Sequence, residues 1–345
     1  MNRAELEQRL RERIRLQGKS RKTANTYWHW IRRYLDHNRS RGMGRETQAE
    51  RAVEVFLSHL ANREHVSANT QNQAFAALCY LYRHVFERPL ENVSALRSKR
   101  PNRTREVCDQ SELVEIFRHL SGFPLLACQL MYGCGLRIGE AVSLRLKDLH
   151  FERRQMHIWD GKGKKDRMVQ LPECLHDELR RQVERVRLVW EDDRQNNRPG
   201  VPLPGAFGRK SPRSHRELGW YWLFPADGYS TDPDTGRMWR WHRDASGISK
   251  ALSRAVQRSG VTKRITAHSL RHGWATHSME GGVPLHTVKE LLGHNSIETT
   301  ETYLHVTQDG VTAARSPIES MGLADILANP ARREQDKSRL RVFAG

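Results

Sequence analysis

Met131-Tyr132-Gly133-Cys134-Gly135-Leu136-Arg137-Ile138-Gly139-Glu140 is the stretch that decides how this chain folds. An apolar run stops at two punctuating glycines, Gly133 and Gly135, and a new helix begins that carries Arg137, Glu140, Val142 and Leu146. Arg137 and Glu140 stand at i,i+3, so they share a face and can hold one another in place. Downstream the pattern switches to strands. Residues 155–159 and 167–171 flank Asp160-Gly161-Lys162-Gly163-Lys164-Lys165-Asp166, a Gly- and Lys-rich hairpin turn. The region from Ser111 therefore reads as mixed, with helices dominant.

Working outward, the first hundred residues read as helices alone. In 23–37, Tyr27, Trp30, Ile31, Tyr34 and Leu35 recur at helical spacing, with Arg32 and Arg33 on another face. Residues 48–61 repeat the pattern with Val53, Phe56, Leu57 and Leu60. Ser67 is the expected N-cap of a longer helix bearing Phe75, Leu78, Leu81, Tyr82 and Val85. Periodicity fails across Arg97-Ser98-Lys99-Arg100-Pro101-Asn102-Arg103-Thr104-Arg105, a basic linker. The fold class is mainly α with a small β component: a helical N-terminal domain over 1–96, a linker over 97–108 and a mixed α/β domain over 109–318. A polar, basic tail over 319–345 is expected to be partly mobile.

Residues 198–247 are irregular, with prolines, glycines and the aromatics Trp220, Tyr221, Trp222, Phe224, Trp239 and Trp241. A segment this long without periodicity inside a domain is functional or disordered, and its aromatics argue against disorder. Helices return at 248–259 and around 268–279, the latter ending at Gly281-Gly282. Pro284 starts another with Leu285, Val288, Leu291 and Leu292 inward, and Gly293 stops it. Ser296 can cap a last short helix bearing Tyr303.

At 345 residues the chain can hold two cores, and 58 basic against 40 acidic residues give a formal charge of +18. That excess points first to nucleic acid. Residues 1–100 are the more strongly basic part, with 20 Lys and Arg against 10 Asp and Glu. Five cysteines without a CxxC pair argue for reduced thiols and a cytoplasmic setting. No signal peptide, and no apolar run of the ~18 residues that a membrane span needs, can be read from the chain.

Arg137, Lys162, His268, Arg271, His294 and Tyr303 are the side-chain types that cleave a DNA strand without metal. Guanidinium groups are permanently charged and bidentate, so they suit the non-bridging oxygens of a pentacovalent phosphate. A tyrosine nucleophile keeps the phosphodiester energy in a phosphotyrosine ester, so a second strand can be joined without ATP. Taken singly, Arg137 reads as a surface charge, His268 as a structural histidine, Tyr303 as a packing tyrosine and Lys162 as a solvated loop lysine. The order and spacing of the set carry the functional reading. His268 and His272 stand at i,i+4, but no HExxH glutamate or further ligand cluster accompanies them, and no Walker-type loop is present.

These boxes together resemble the signature of the tyrosine site-specific recombinases: residues 132–140, Gly161-Lys162-Gly163, His268-Ser269-Leu270-Arg271-His272, Leu292-Gly293-His294 and Tyr303. The resemblance covers roughly residues 20–318. It implies a helical, SAM-like core-binding domain and a catalytic domain that clamp DNA as a C. Arg137, Lys162, His268, Arg271 and His294 would surround the scissile phosphate, with Glu140 orienting the pocket. Tyr303 would attack to form a 3′-phosphotyrosine, and Lys162 would protonate the leaving oxygen. Four protomers would pass through a Holliday junction, with no cofactor or metal.

Within that family the chain is most similar to the integron integrases. Residues 66–74 with Leu81-Tyr82-Arg83, residues 203–212, and Trp220, Leu223-Phe224-Pro225, Asp232-Pro233 and Trp241-His242 carry this narrower likeness. It makes 198–247 an insertion that grips bases bulging from a folded single-stranded cassette site. Flipped bases want aromatic faces to stack on. Trp220, Pro233, Trp241 and His242 are the implied DNA contacts, although packing of the insertion explains any one tryptophan as well. Trp241 stands where the family has a second histidine, Gly273-Trp274 and Leu304 also depart from its pattern, and none is expected to touch a catalytic side chain. The expected enzyme is a bacterial integrase that recombines a duplex integration site with a folded cassette site, using no membrane and no small-molecule substrate. Removing 203–242 should then spare duplex cleavage. The alternatives are a Xer-like or phage-type recombinase on duplex sites and, from another class, a DNA-binding module that no longer cleaves.

Overall fold

The computed structural model describes residues 2–43, 48–93, 108–159, 166–205 and 207–293, and divides into the units Met1–Thr104 and Arg105–Gly345. In the first, the apolar stripes of α1 (Arg3–Leu16), α2 (Arg21–Ser40), α3 (Ala49–Asn62) and α4 (Ala68–His84) enclose one core. Leu10, Ile14, Ile31, Phe56, Leu57, Leu60, Leu78 and Leu81 are fully buried there. Three of the four helix starts have a side-chain cap. Asn2 and Glu5 form a capping box, and the Ser20 and Ser67 hydroxyls accept from the Thr23 and Thr70 amides. Of the positions read as inward, Tyr27, Leu35, Phe75 and Tyr82 are only half-buried. Arg33 is no simple solvated charge, since its guanidinium lies 4.8 Å over the Trp30 ring.

The second unit is built around α6 (Gly122–Gly133), which follows α5 (Gln110–Arg118). Leu125 through Gly133 are all buried, as expected of a helix that is apolar on every side. The next helix, α7 (Ile138–Val142), is shorter than the pattern suggested: Arg137 is its N-cap, and Leu146 belongs to a separate 3-10 turn. Then β1 (Leu149–His150), β2 (Gln155–Ile158) and β3 (Arg167–Gln170) form an antiparallel sheet in that order. Ile158 pairs with Arg167, so the hairpin read from the sequence is present, and β1 adds a strand that was not foreseen.

The long α8 (His176–Gln195) leads into the irregular segment. Among its described residues it contains α9 (Phe207–Lys210), 3-10 turns and a ribbon of β4 (Ser230–Thr231) with β5 (Met238–Trp239). It is nonetheless rooted: Leu146 N donates to Tyr221 O at 3.0 Å, and Leu223 N to Leu144 O at 2.7 Å. Leu223 and Phe224 lie in the main core, so excising 203–242 would remove structural residues rather than an appendage. Beneath the ribbon, Arg240 and Asp193 form an ion pair that is almost wholly buried and joined by the Tyr221 and Tyr229 hydroxyls.

The unit continues with α10 (Ala245–Ser259), α11 (Ala267–Glu280) and α12 (Leu285–Leu292). Val288, Leu291 and Leu292 are buried as expected, but Leu285 is 54% exposed. It stands at the edge of the stripe those three define, on the first turn. Gly293 ends α12 in the left-handed conformation, φ +61. No disulfide joins any of the five cysteines, and no helix among the described residues is long and apolar enough to cross a membrane. The mainly helical architecture with one three-stranded sheet and one two-stranded ribbon is the fold class read from the sequence.

Candidate active site

The end of α12 is where three of the predicted residues, Arg137, Glu140 and Arg271, meet. Its last carbonyls have no partner within the helix and carry the negative end of its dipole, so they attract donors with positive charge. Each is taken by a different arginine. Leu291 O accepts from Arg167 Nε at 2.6 Å, Leu292 O from an Arg271 Nη2 bond, and Gly293 O from Arg137 Nη2 at 3.4 Å. Gly293 has a second reason to lack a side chain: a Cβ there would stand 3.3 Å from Arg167 Cδ.

One carboxylate organises the three guanidinium groups. Glu140 Oε1 accepts from Arg137 Nη1 at 2.7 Å and Arg167 Nη1 at 3.0 Å. Its Oε2 accepts from the Arg137 amide at 2.8 Å and Arg167 Nη2 at 2.7 Å, with Arg271 Nη1 3.6 Å away. Burial alone would raise the Glu140 carboxyl, but the Arg167 and then the Arg137 bonds prevail and hold it down to about 2. Burial, followed by repulsion from Arg137, pushes Arg271 down to about 9. Three guanidinium groups against one carboxylate leave two positive charges for an anion to neutralise. Arg137 keeps 26% of its side chain exposed, whereas Arg271 keeps 3%, so an arriving anion meets Arg137 first.

The turn quoted at the outset positions this cluster. Gly135, at φ +63, offers its carbonyl to Arg271 Nη1 at 2.7 Å. The Trp274 ring covers it so closely that a Cβ would lie 2.6 Å from a ring carbon. Trp274 thus touches the backbone that holds Arg271. Below it, Tyr132 Oη and His277 Nδ1 are 2.8 Å apart in the core.

Arg137, Glu140 and Arg271 are therefore brought together. His268 is exposed, one turn before Arg271 on α11, with its ring 4.3 Å from that of His272. Among the described residues no group of three His, Cys, Asp or Glu is arranged to hold a metal ion. Lys162, His294 and Tyr303 lie outside the described residues.

The implied base contacts do not form one cluster. Trp220 is half-buried, 4.7 Å from the Phe207 ring, with Lys147 Nζ 4.5 Å from its own. Arg145 lies 3.7 Å over Trp222 and 5.3 Å from Trp220, and His242 meets Trp222 edge-on at 5.1 Å. Pro233 stands apart, exposed in the turn between β4 and β5, and Trp241 is half-buried. Arg167, Arg145 and the Asp193–Arg240 pair were missed from the sequence. For Arg167 a signal existed, as the first residue of a strand that follows the lysine turn.

The chain matches the model of the phage integrase family over residues 106–309 and that of the phage integrase N-terminal SAM-like domain over 6–92. An Escherichia coli protein named integrase/recombinase is 40% identical over 313 residues, covering 90% of this chain and 92% of its own length. A tyrosine recombinase XerA of Thermococcus kodakarensis is 31% identical over 311 residues, covering 87% and 90%. Among solved structures, a lambda integrase (75–356) dimer bound to a COC′ core site aligns with TM-score 0.56 at 15% identity, covering 89% of this chain and all of that one. XerH bound to its difH substrate aligns at 0.55 and 18%, covering 98% and 84%; both likenesses are of fold. The chain belongs to the phage integrase family, the tyrosine recombinases, enzymes that cleave and rejoin DNA strands.

Proposed function

We propose that this protein is an integron-type integrase whose Arg137 and Arg271 bind the scissile phosphate. The observation that carries the phosphate role is the surplus of two positive charges around Glu140 at the end of α12. In sequence His294 follows directly, and Tyr303 nine residues later. In this reading Tyr303 Oη attacks phosphorus as its proton passes to a histidine of the site, the bond from phosphorus to the 5′ oxygen breaks, and Lys162 delivers a proton to that oxygen. Arg137, Arg271, His268 and His294 stabilise the phosphorane, and Glu140 keeps Arg137 aligned. A 5′-hydroxyl from a second strand then reverses the step. Donors preorganised toward developing charge commonly supply the largest catalytic share, and losing one costs ~10²–10³-fold.

The integron-type substrate rests on the aromatic segment 198–247, with Trp220, Pro233, Trp241 and His242 as its contacts to bulged bases. The unit over 1–96 grips DNA, four protomers assemble on two sites, and the reaction belongs to the cytoplasm. Partners are a duplex integration site and a folded single-stranded cassette site. Likeness to proteins named tyrosine recombinase keeps the duplex-only reading as the rival.

End-labelled folded cassette-type oligonucleotide and its duplex counterpart, incubated in EDTA with wild type or Tyr303→Phe, separate these readings on a denaturing gel. A covalent adduct with the folded strand that vanishes in the variant is expected. An adduct on duplex alone moves the protein to Xer-like recombination. Tight binding without any adduct removes the cleavage role.

A further inference from the structure

We infer that Arg167 is a positioning residue for strand cleavage, holding Glu140 and the end of α12 in one register so that Arg137 and Arg271 face the phosphate. The inference rests on the phosphate role proposed above for those two arginines. Arg167 does not meet the substrate itself. Its side chain is only 9% exposed, and Nε, Nη1 and Nη2 are all committed to protein acceptors.

Those acceptors belong to the parts that must stay aligned. Two bonds fix both oxygens of the Glu140 carboxylate, and the same oxygens hold the amide and guanidinium of Arg137. The third reaches Leu291 O, adjacent to the carbonyl that Arg271 holds and two before the one that Arg137 holds. Arg167 is also the first residue of β3, paired with Ile158 at the end of β2, and the chain between those strands contains Lys162. One planar fork thus ties the hairpin, the α7 cap and the α12 terminus. A lysine cannot reproduce it, because a single ammonium cannot engage a carboxylate bidentately while reaching a third acceptor. Misalignment of about 1 Å in such a frame is enough to cost ~10²-fold in rate.

The test uses full-length Arg167→Ala and Arg167→Lys with single-turnover adduct formation, DNA Kd and a thermal melt measured in parallel. The scissile phosphate, mapped with wild type, is supplied in three forms: native, methylphosphonate (one non-bridging oxygen replaced by methyl) and 5′-bridging phosphorothiolate (a leaving group needing no proton). The expected result is a ~10²-fold slower native cleavage for the alanine variant, with DNA Kd little changed. That penalty should shrink on methylphosphonate, where less charge needs the arginines, and persist on phosphorothiolate. The lysine variant should show the same signature, more weakly, and it serves if the alanine variant does not fold.

A penalty equal on all three substrates, or one that follows a general loss of binding and melting temperature, overturns the inference in favour of a structural role. Rescue by phosphorothiolate alone overturns it too, because Arg167 would then act through Lys162. Wild type that forms no Tyr303-dependent adduct sinks the parent reading. Wild type and Arg167→Ala cleaving alike sinks only this one.

Discussion

Glu140 shows how much one carboxyl can govern. Its proton affinity lies far below the ordinary 4.5 because Arg167 and Arg137 outweigh the effect of burial. A depressed acid stabilises the fold fully above its unfolded value, and that contribution fades as pH falls toward the folded value. Wild type should therefore lead Glu140→Gln by on the order of 1–3 kcal/mol near neutrality. The lead should shrink between about pH 4.5 and pH 2, the interval between the two values. Urea denaturation of both proteins across that range checks it, and a constant gap would mean that the carboxylate charge is not what Arg167 and Arg137 hold.

The elements differ in how they can be read. Helices announce themselves through period and caps, so Ser67, Gly293 and the inward faces of α2, α3 and α12 were visible in outline, as was the Arg137–Glu140 pair at i,i+3. Contacts that close over long separations leave no such trace. Arg167 meets Glu140 across 27 positions and Leu291 across 124, and Arg240 meets Asp193 across 47. Leu285 was misread because periodicity marks a stripe without saying where its cover ends. The Asp193–Arg240 pair makes its own prediction for the ribbon. Arg240→Met leaves a buried carboxylate with only hydroxyl partners and should cost ~3–5 kcal/mol. Asp193→Leu added to it should recover part of that loss, measurable by denaturation. Strict additivity of the two changes would mean that the pair is not an energetic unit.

Across the whole molecule the dominant quantity is charge, +18 in formal terms. Each phosphate neutralised on duplex DNA releases counterions, adding about 0.9 to the slope of log affinity against log salt. Binding to duplex of arbitrary sequence should therefore weaken ~10³-fold or more between ~50 and ~200 mM salt, as for proteins touching six or more phosphates. Fluorescence anisotropy titrations measure that slope, and a value below about 3 would mean that little of the surplus faces DNA. The arginine cluster at the end of α12 follows a different rule. Its three arginines address main-chain oxygens of residues 291, 292 and 293, which every amino acid supplies. Leu291 and Leu292 answer only to the core they fill, and Gly293 to its dihedral and to the room Arg167 needs. Lineages can exchange the leucines for other apolar residues while the grip survives, so sequence drift at the helix end is decoupled from the charge it anchors.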